Sequence, residues 1–256
     1  MNEESIKKII ERGTWYHTVS YKSLKTKGTF DYTSLVQDLN FPSMKGLNVL
    51  DVGCSDGFFS KYFIEELGAK KSLGLDFNNY DDSIAFEVLG KFEKDYSEKY
   101  YEMNDYKKLE DEYKSLELND SNKFNFLKKV FNLNMEFVNG SIYELEKHGI
   151  HDVTFCGSLL EHLRDPITAI ENLYSSTGKF CIIDISNSYK NYLSFLNIPL
   201  IKYTGAGGNF YHHSSNAVKL MMEAVGFKNI KTIKNYKIKI QKYGYYIPHS
   251  IVIGYK

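Results

Sequence analysis

From Leu47 onward, short apolar segments alternate with amphipathic ones, a pattern that predicts strands packed between helices. This alternation is typical of an α/β fold with a mostly parallel sheet covered by helices on both faces. The predicted strands are Leu47–Val52, Lys71–Asp76, Met135–Asn139, Asp152–Gly157 and Lys179–Ile185. The predicted helices are Phe58–Leu67, Lys123–Phe131, Pro166–Ser175 and Ser215–Val225, and the last of them has serine caps at its start and Gly226 at its end.

Residues 1–46 follow a different pattern, and we interpret them as a helical cap segment that precedes an α/β domain over residues 47–256. Ser5–Glu11 reads as a short helix that ends at Gly13, and Tyr32–Leu39 also has helical spacing. The stretch GTWYHTVSYKSLKTKGTFDY between them has no clear periodicity and holds the only tryptophan, Trp15.

Two later segments depart from the alternation. The final strands, Asn229–Gln241 and Ser250–Lys256, are close in sequence and are predicted to pair antiparallel at the sheet edge. Residues 82–122 are charged, tyrosine-rich and helix-prone, and they far exceed the usual loop of about 4–6 residues. We interpret them as a helical insertion after the second strand, either a lid or a charged excursion without a role.

Composition narrows the class of protein. Zero formal net charge gives no electrostatic indication of nucleic-acid binding. The three cysteines, Cys54, Cys156 and Cys181, lack the spacing of a zinc site, so we expect no metal and predict reduced thiols in the cytoplasm. The charged N-terminus is unlike a secretory signal, and no apolar run approaches the roughly 20 residues that cross a bilayer, so we expect no membrane association.

The segment NVLDVGCSDGFFS, Asn48–Ser60, places an acidic residue and two glycines where a buried strand ends. A strand that enters a helix through such a loop presents backbone N–H groups to a ligand. The second glycine of dinucleotide binders is missing, as is the P-loop lysine, and two carboxylates would repel a pyrophosphate. We therefore predict a ligand with a positive charge and hydroxyl groups. The candidate contacts are Asp51, Gly53, Cys54, Ser55, Asp56 and Gly57.

Asp76 ends the second predicted strand about twenty residues later, in SLGLDF. A carboxylate at this position can accept hydrogen bonds from both hydroxyls of a ribose. The loop and Asp76 together predict an adenosine with a cationic tail, which describes S-adenosylmethionine.

At this point the sequence resembles the class I S-adenosylmethionine-dependent methyltransferases, from Asn48 to about Phe227. VLDVGCSDGFF is similar to the first motif of the family, LGLDF to the second, and FCGSLLEHLRDP to the segment after strand four. The resemblance implies a Rossmann-like fold with a seven-stranded, mostly parallel sheet and an antiparallel edge strand. It implies an adenine contact from Ser141, where the family more often has aspartate, and packing of Ile142 on the ring. The further cofactor contacts it implies are Phe77, Gly157, Ser158 and Trp15.

A narrower resemblance, carried by GTWYHTV, GTFDY and LLEHLRDP, is to the tRNA wobble-uridine carboxymethyltransferase group. In that group the W-Y-H-T stretch closes over the cofactor. The long N-terminal extension of the tRNA enzyme is not found before Trp15, and Glu161 replaces a tyrosine. Because Glu161 would repel an extra carboxylate on the cofactor, we expect plain S-adenosylmethionine.

Methyl transfer to a hydroxyl or amine needs a base, and His162, with Glu161 beside it, is the best-placed candidate. His17 is a further candidate, and at most one of His212 and His213 is expected to face the site. The leading hypothesis is methyl transfer to an oxygen or nitrogen of a small or medium-sized acceptor, with a tRNA-modifying enzyme as the alternative. A nicotinamide-dependent oxidoreductase and a cofactor-binding module without turnover are less favoured. The oligomeric state stays open.

Overall fold

The computed structural model describes residues 2–13, 15–77, 120–187, 198–206 and 209–256. Its helices are α1 (Glu3–Arg12), α2 (Phe58–Glu65), α3 (Asp120–Phe131), α4 (Pro166–Ser176) and α5 (Ser215–Ala224). The strands of the main sheet are β5 (Asn48–Val52), β6 (Lys71–Asp76), β7 (Met135–Asn139), β8 (His151–Gly157), β9 (Thr177–Ser186), β12 (Lys228–Lys239) and β13 (Tyr246–Tyr255). Six shorter strands are β1 (Trp15–His17), β2 (Ser20–Tyr21), β3 (Leu24–Lys25), β4 (Gly28–Phe30), β10 (Ile201–Ala206) and β11 (Asn209–His213). Short 3-10 helices span Val36–Leu39, Ile142–His148 and Leu160–His162.

The main sheet has seven strands in the order β12-β13-β9-β8-β5-β6-β7. The five strands β9, β8, β5, β6 and β7 are parallel to one another, whereas β13 runs antiparallel to both β9 and β12. The predicted α/β fold is therefore confirmed. Because β5 lies between β6 and β8, the carboxyl ends of these central strands meet at one edge of the sheet.

Alternate residues of the central strands face two different hydrophobic layers, as the period of two in a strand requires. On β9, Phe180 and Ile182 join the layer that contains α2 and the N-terminal segment, while Cys181 and Ile183 join the layer that contains α4 and α5. Both faces of the sheet are thus covered.

The N-terminal segment shares the first of these layers with the sheet. Ile6, Trp15 and Leu39 are buried in it together with Phe59 and Phe155. The aperiodic stretch before Asp31 forms four short strands: β1 pairs parallel with β4, and β2 pairs antiparallel with β3. The cap segment is therefore packed onto the α/β domain.

The prediction of a helix over Tyr32–Leu39 is wrong for its first half, because only Val36–Leu39 is helical, as a 3-10 turn. Asp31 Oδ1 accepts a hydrogen bond from the backbone N–H of Thr33 at 3.0 Å. Such a side-chain turn competes with helical backbone bonds at this point of the chain.

The insertion predicted at 82–122 lies outside the described residues, except that its last three residues belong to α3. The hairpin β10–β11 was not predicted, and it joins the carboxyl-end side of the sheet to α5.

Candidate active site

The glycine loop after β5 has a backbone that only certain residues adopt readily. Gly53 and Gly57 have φ of +77° and +85°, and Ser55 has φ of +46°. A Cβ at Gly57 would lie 2.6 Å from Cδ2 of Phe124 on α3, so this position also lacks room for a side chain. The backbone N–H of Gly53 donates to the carbonyl of Leu75 at 2.8 Å, which holds the loop against the end of β6.

Asp76 and the glycine loop meet as predicted. The backbone N–H of Ser55 donates to Asp76 Oδ2 at 2.7 Å, and that of Phe77 donates to Oδ1 at 2.8 Å. Each carboxylate oxygen can accept more than one hydrogen bond. The half-buried Asp76 is therefore oriented by the backbone at the edge where a ribose would lie.

Ser141 and Ile142 follow β7 next to Asp76, because the N–H of Gly140 donates to the carbonyl of Asp76 at 3.0 Å. The hydroxyl of Ser141 accepts from the N–H of Tyr143 at 3.2 Å, which starts a 3-10 helix, and Ile142 is buried. Their adenine contacts stay predictions.

Gly157 and Ser158 end β8 on the other side of the glycine loop. Ser158 has φ of +49°, and its N–H donates to the carbonyl of Asp184 at 2.8 Å. The next residue, Leu159, borders Gly53, where a Cβ would lie 3.2 Å from Leu159 Cδ2. The loops after β5 and β8 are therefore in contact, and Gly53, Asp76, Gly157 and Ser158 lie along one edge of the sheet, the proposed cofactor cleft.

Asp51 lies beneath this cleft and is only 1% exposed. The hydroxyl of Ser60 donates to Asp51 Oδ2 at 2.6 Å, and Ser72 donates to Ser60 at 2.9 Å. Burial raises the pKa of Asp51 to about 6, although the bond from Ser60 acts in the opposite direction. The ionised carboxylate of Asp51 therefore lowers the stability of the folded protein at neutral pH.

Asp51→Asn is expected to raise the free energy of unfolding by about 1 kcal/mol at pH 7. The pKa of Asp51 in the folded protein, about 6, lies above its ordinary value of 3.8, so the wild type loses up to about 3 kcal/mol of stability as pH rises from 3.8 to 6. Asparagine avoids this loss because it carries no charge, but burying its amide costs part of the gain. Urea unfolding at pH 4 and pH 7 measures this. A larger advantage for the variant at pH 4 than at pH 7 would contradict the argument.

Asp56 faces the cap segment. It is fully buried, and it accepts from the backbone N–H of His17 at 2.7 Å and pairs with His17 Nδ1 at 2.6 Å. Burial raises the pKa of Asp56, but the bonds and charge of His17 outweigh burial and hold that pKa below its usual value. The geometry thus favours a positioning role for this pair over the predicted cofactor contact and catalysis.

Trp15 and Tyr16 lie on opposite faces of β1. Trp15 is 3% exposed and packs against Phe126 of α3 at 5.8 Å between ring centroids, which favours packing over the predicted cofactor contact. The neighbouring Tyr16 is 38% exposed, and partial removal of its hydroxyl from water, together with the carboxylates of Glu161 and Asp56, raises its pKa. Sequence reasoning missed Tyr16, although the alternation along β1 could have indicated it.

The negative charge near Tyr16 comes from both sides of the cleft. Asp184 and Asp76 act on its hydroxyl in the same direction as Glu161 and Asp56. Asp56 and Asp184 are already paired with His17 and His249. Glu161 and Asp76 are therefore the carboxylates here that favour a positively charged ligand over an anionic one.

Glu161 is 3% exposed on the 3-10 helix that follows β8. Its Oε1 accepts from the backbone N–H of Ser186 at 3.4 Å, whereas Oε2 has no hydrogen-bond partner among the described residues. His162 is half-buried at the end of the same turn, and its catalytic role stays a prediction.

A buried polar network that lies beside the cleft was not predicted from the sequence. Tyr236 donates to Asp184 Oδ2, Tyr32 lies 3.3 Å from Tyr236 between hydroxyls, and His249 Nδ1 lies 3.3 Å from Asp184 Oδ1. Burial lowers the pKa of His249, but Asp184 outweighs burial and raises it overall. These residues belong to different strands and the cap, so no sequence spacing relates them.

Within the described ranges, no three histidine, cysteine, aspartate or glutamate residues are grouped so as to hold a metal ion. Nor is any helix of that part of the chain long and apolar enough to cross a membrane.

Solved structures with this fold align over most or all of the chain. The N-terminal domain of EvdMO1, solved in the presence of SAH and D-fucose, has 14% identity and a TM-score of 0.63, with 100% of this chain and 97% of that chain covered. The 1,6-didemethyltoxoflavin-N1-methyltransferase of Burkholderia thailandensis has 13% identity and a TM-score of 0.51, with 83% and 72% covered. YcgJ of Bacillus subtilis has 11% identity and a TM-score of 0.52, with 87% and 96% covered.

No curated protein sequence matches the chain. The family model described as a methyltransferase domain matches residues 28–232, which includes the glycine loop, Asp76 and Glu161. With this match over most of its length and the sheet order described above, the chain belongs to the class I S-adenosylmethionine-dependent methyltransferases.

Proposed function

We propose that this enzyme transfers the methyl group of S-adenosylmethionine to an oxygen or nitrogen atom of a small acceptor. The observation that carries the proposal is the contact between the glycine loop and Asp76, with the Ser55 N–H on Asp76 Oδ2 at 2.7 Å. This contact brings a close-approach backbone and a ribose-binding carboxylate to one edge of the sheet.

The charge of the cleft supports a cationic methyl donor. A sulfonium gains electrostatic stabilisation beside carboxylates, and Asp76 ends β6 while Glu161 lies on the 3-10 helix that follows β8. A carboxylated form of the cofactor would place another negative charge beside buried Glu161. We therefore assign plain S-adenosylmethionine as the donor.

The enclosed acceptor side supports a small acceptor. Glu161 and His213 are only 3% and 1% exposed, so little of either side chain is open to solvent. The EvdMO1 domain was solved in the presence of D-fucose, and the Burkholderia thailandensis enzyme with bound 1,6-didemethyltoxoflavin. These small molecules belong to those proteins, and they agree with an acceptor of this size. A tRNA acceptor is the alternative, and an assay of methyl transfer to a tRNA transcript tests it.

The three cysteines form no disulfide, in keeping with a cytoplasmic protein.

Calorimetric titration with S-adenosylmethionine, S-adenosylhomocysteine, the carboxylated analogue and NAD tests the proposal. We expect micromolar binding of the first two alone. Tighter binding of the carboxylated analogue would overturn the assignment of the donor and favour the tRNA-modifying alternative. Binding of NAD alone would overturn the proposed function.

A further inference from the structure

The hairpin β10–β11 carries His213 to the 3-10 helix that holds Glu161. Strand β11 packs on this helix and on β9. The next residue, Ser214, fixes the end of the hairpin, because its N–H donates to the carbonyl of Leu200 at 2.9 Å and its hydroxyl accepts from Leu200 and Ala217 at 2.9 and 3.2 Å. His213 is therefore held at a defined position next to the cleft.

Polar atoms that lack hydrogen-bond partners lie on both of these packed elements. His213 is 1% exposed, and neither of its ring nitrogens has a partner in the part of the chain that the structure describes. Glu161 Oε2 is also without one there. An unsatisfied buried polar atom costs about 1–3 kcal/mol, so such a group calls for a partner from outside the chain, which is a water, an ion or a ligand.

We propose that Glu161 and His213 form the acceptor subsite, in which Glu161 accepts a hydrogen bond from the acceptor and His213 removes the proton of its nucleophilic hydroxyl or amine. This inference rests on the proposed function. The acceptor is an uncharged alcohol or phenol, or an amine, and anionic groups are excluded from the subsite by the carboxylate of Glu161.

The protonation state of His213 fits a base. Burial lowers its pKa, and Glu161 opposes burial only in part. The titratable groups that act on His213 are Glu161 on the 3-10 helix and His212, its neighbour on β11. His212 pairs with Lys202 of β10 in the register of the hairpin. A neutral imidazole has one N–H donor and one nitrogen that can accept a proton.

The reaction balances with these groups. A lone pair of the acceptor oxygen or nitrogen forms the bond to the methyl carbon, and the S–CH3 bond breaks with its electron pair passing to sulfur. The acceptor proton passes to the free nitrogen of His213, and Glu161 stabilises the imidazolium. S-adenosylhomocysteine and the methylated acceptor leave, and the imidazolium releases its proton to water.

The pairing of His213 with Glu161 is testable without any acceptor. NMR titration of the histidine rings, with the His213 signal assigned from His213→Gln, should give a pKa below the ordinary 6.5. In Glu161→Gln that pKa should fall further, by about 1, because the amide no longer stabilises the imidazolium. An unchanged or higher pKa in Glu161→Gln would overturn the pairing, whatever the enzyme methylates.

Turnover tests the subsite itself. Transfer of labelled methyl is measured to catechol, a 6-deoxyhexose, an alkylamine, carboxylated counterparts of each, and a tRNA transcript. We expect transfer to an uncharged or amine acceptor, and a loss of about 100-fold in kcat for His213→Gln with an unchanged cofactor Kd. His151→Gln, the same change at the opposite end of β8, should retain the wild-type rate.

Full activity of His213→Gln, or preference for a carboxylated acceptor or tRNA, would overturn the subsite. If the protein binds the cofactor but methylates none of these acceptors, the stated acceptor class is overturned. The NMR titration then still decides whether His213 and Glu161 interact. Loss of cofactor binding in the wild type would instead count against the proposed function.

Discussion

His17→Leu is expected to lower the free energy of unfolding by about 2–3 kcal/mol at pH 7, the usual worth of hydrogen bonds to a buried charge. The substitution removes the 2.6 Å contact between His17 Nδ1 and Asp56 Oδ1, while the Asp56 carboxylate stays fully buried. Chemical denaturation measures the loss. Cofactor affinity should fall as well, because this pair joins the cap segment to the glycine loop.

The effect should depend on pH in a defined direction. His17 holds the pKa of Asp56 below its ordinary 3.8, so the stabilisation is present above that value and is lost as pH falls through the folded pKa. His17→Asn, which can place an amide donor near the same point, should recover part of the stability. Equal stability of His17→Leu and the wild type at pH 7 would contradict this account of the cap.

Asp76→Ala is expected to weaken S-adenosylmethionine binding by about 5- to 150-fold, which corresponds to about 1–3 kcal/mol for hydrogen bonds to a charged group. The carboxylate has two tasks: it accepts from the Ser55 and Phe77 N–H groups, and it faces the edge where the ribose hydroxyls would bind. Calorimetry measures the change in Kd.

Two variants separate these tasks. Asp76→Asn keeps one oxygen that can accept from the loop, so its affinity should lie between those of the wild type and Asp76→Ala. Asp38→Ala removes an exposed carboxylate from the cap segment and should bind as the wild type does. Wild-type affinity in a folded Asp76→Ala variant would remove Asp76 from the cofactor site.

Local sequence determined the main-sheet strands and the helices that cover them to within a few residues. Strands β6 and β7 have the predicted bounds, and α2, α4 and α5 begin where they were predicted. These elements depend on periodic burial and on caps such as Asp165 and Ser214, whose side chains accept from the first helical turn. Both signals act over a few residues, so the sequence alone displays them.

The meeting of Asp76 with the glycine loop was also predictable, because parallel neighbouring strands bring their carboxyl ends to one edge. The sequence could not assign directions to side chains that the chain brings together over long separations. Asp56 reaches His17 from 39 residues away, and this contact turns its carboxylate toward the cap.

The acceptor side was decided by tertiary structure alone. His249 and Tyr236 meet Asp184 because β13 runs antiparallel between β9 and β12. The elements that carry Glu161 and His213, the residues of the proposed acceptor subsite, meet because a hairpin folds back on the turn after β8. The burial of these side chains and their hydrogen-bond partners depend on packing between segments that are distant in sequence, and no local pattern encodes such packing. The sequence by itself thus determined the fold and the cofactor edge, and the three-dimensional packing determined which polar groups face the acceptor.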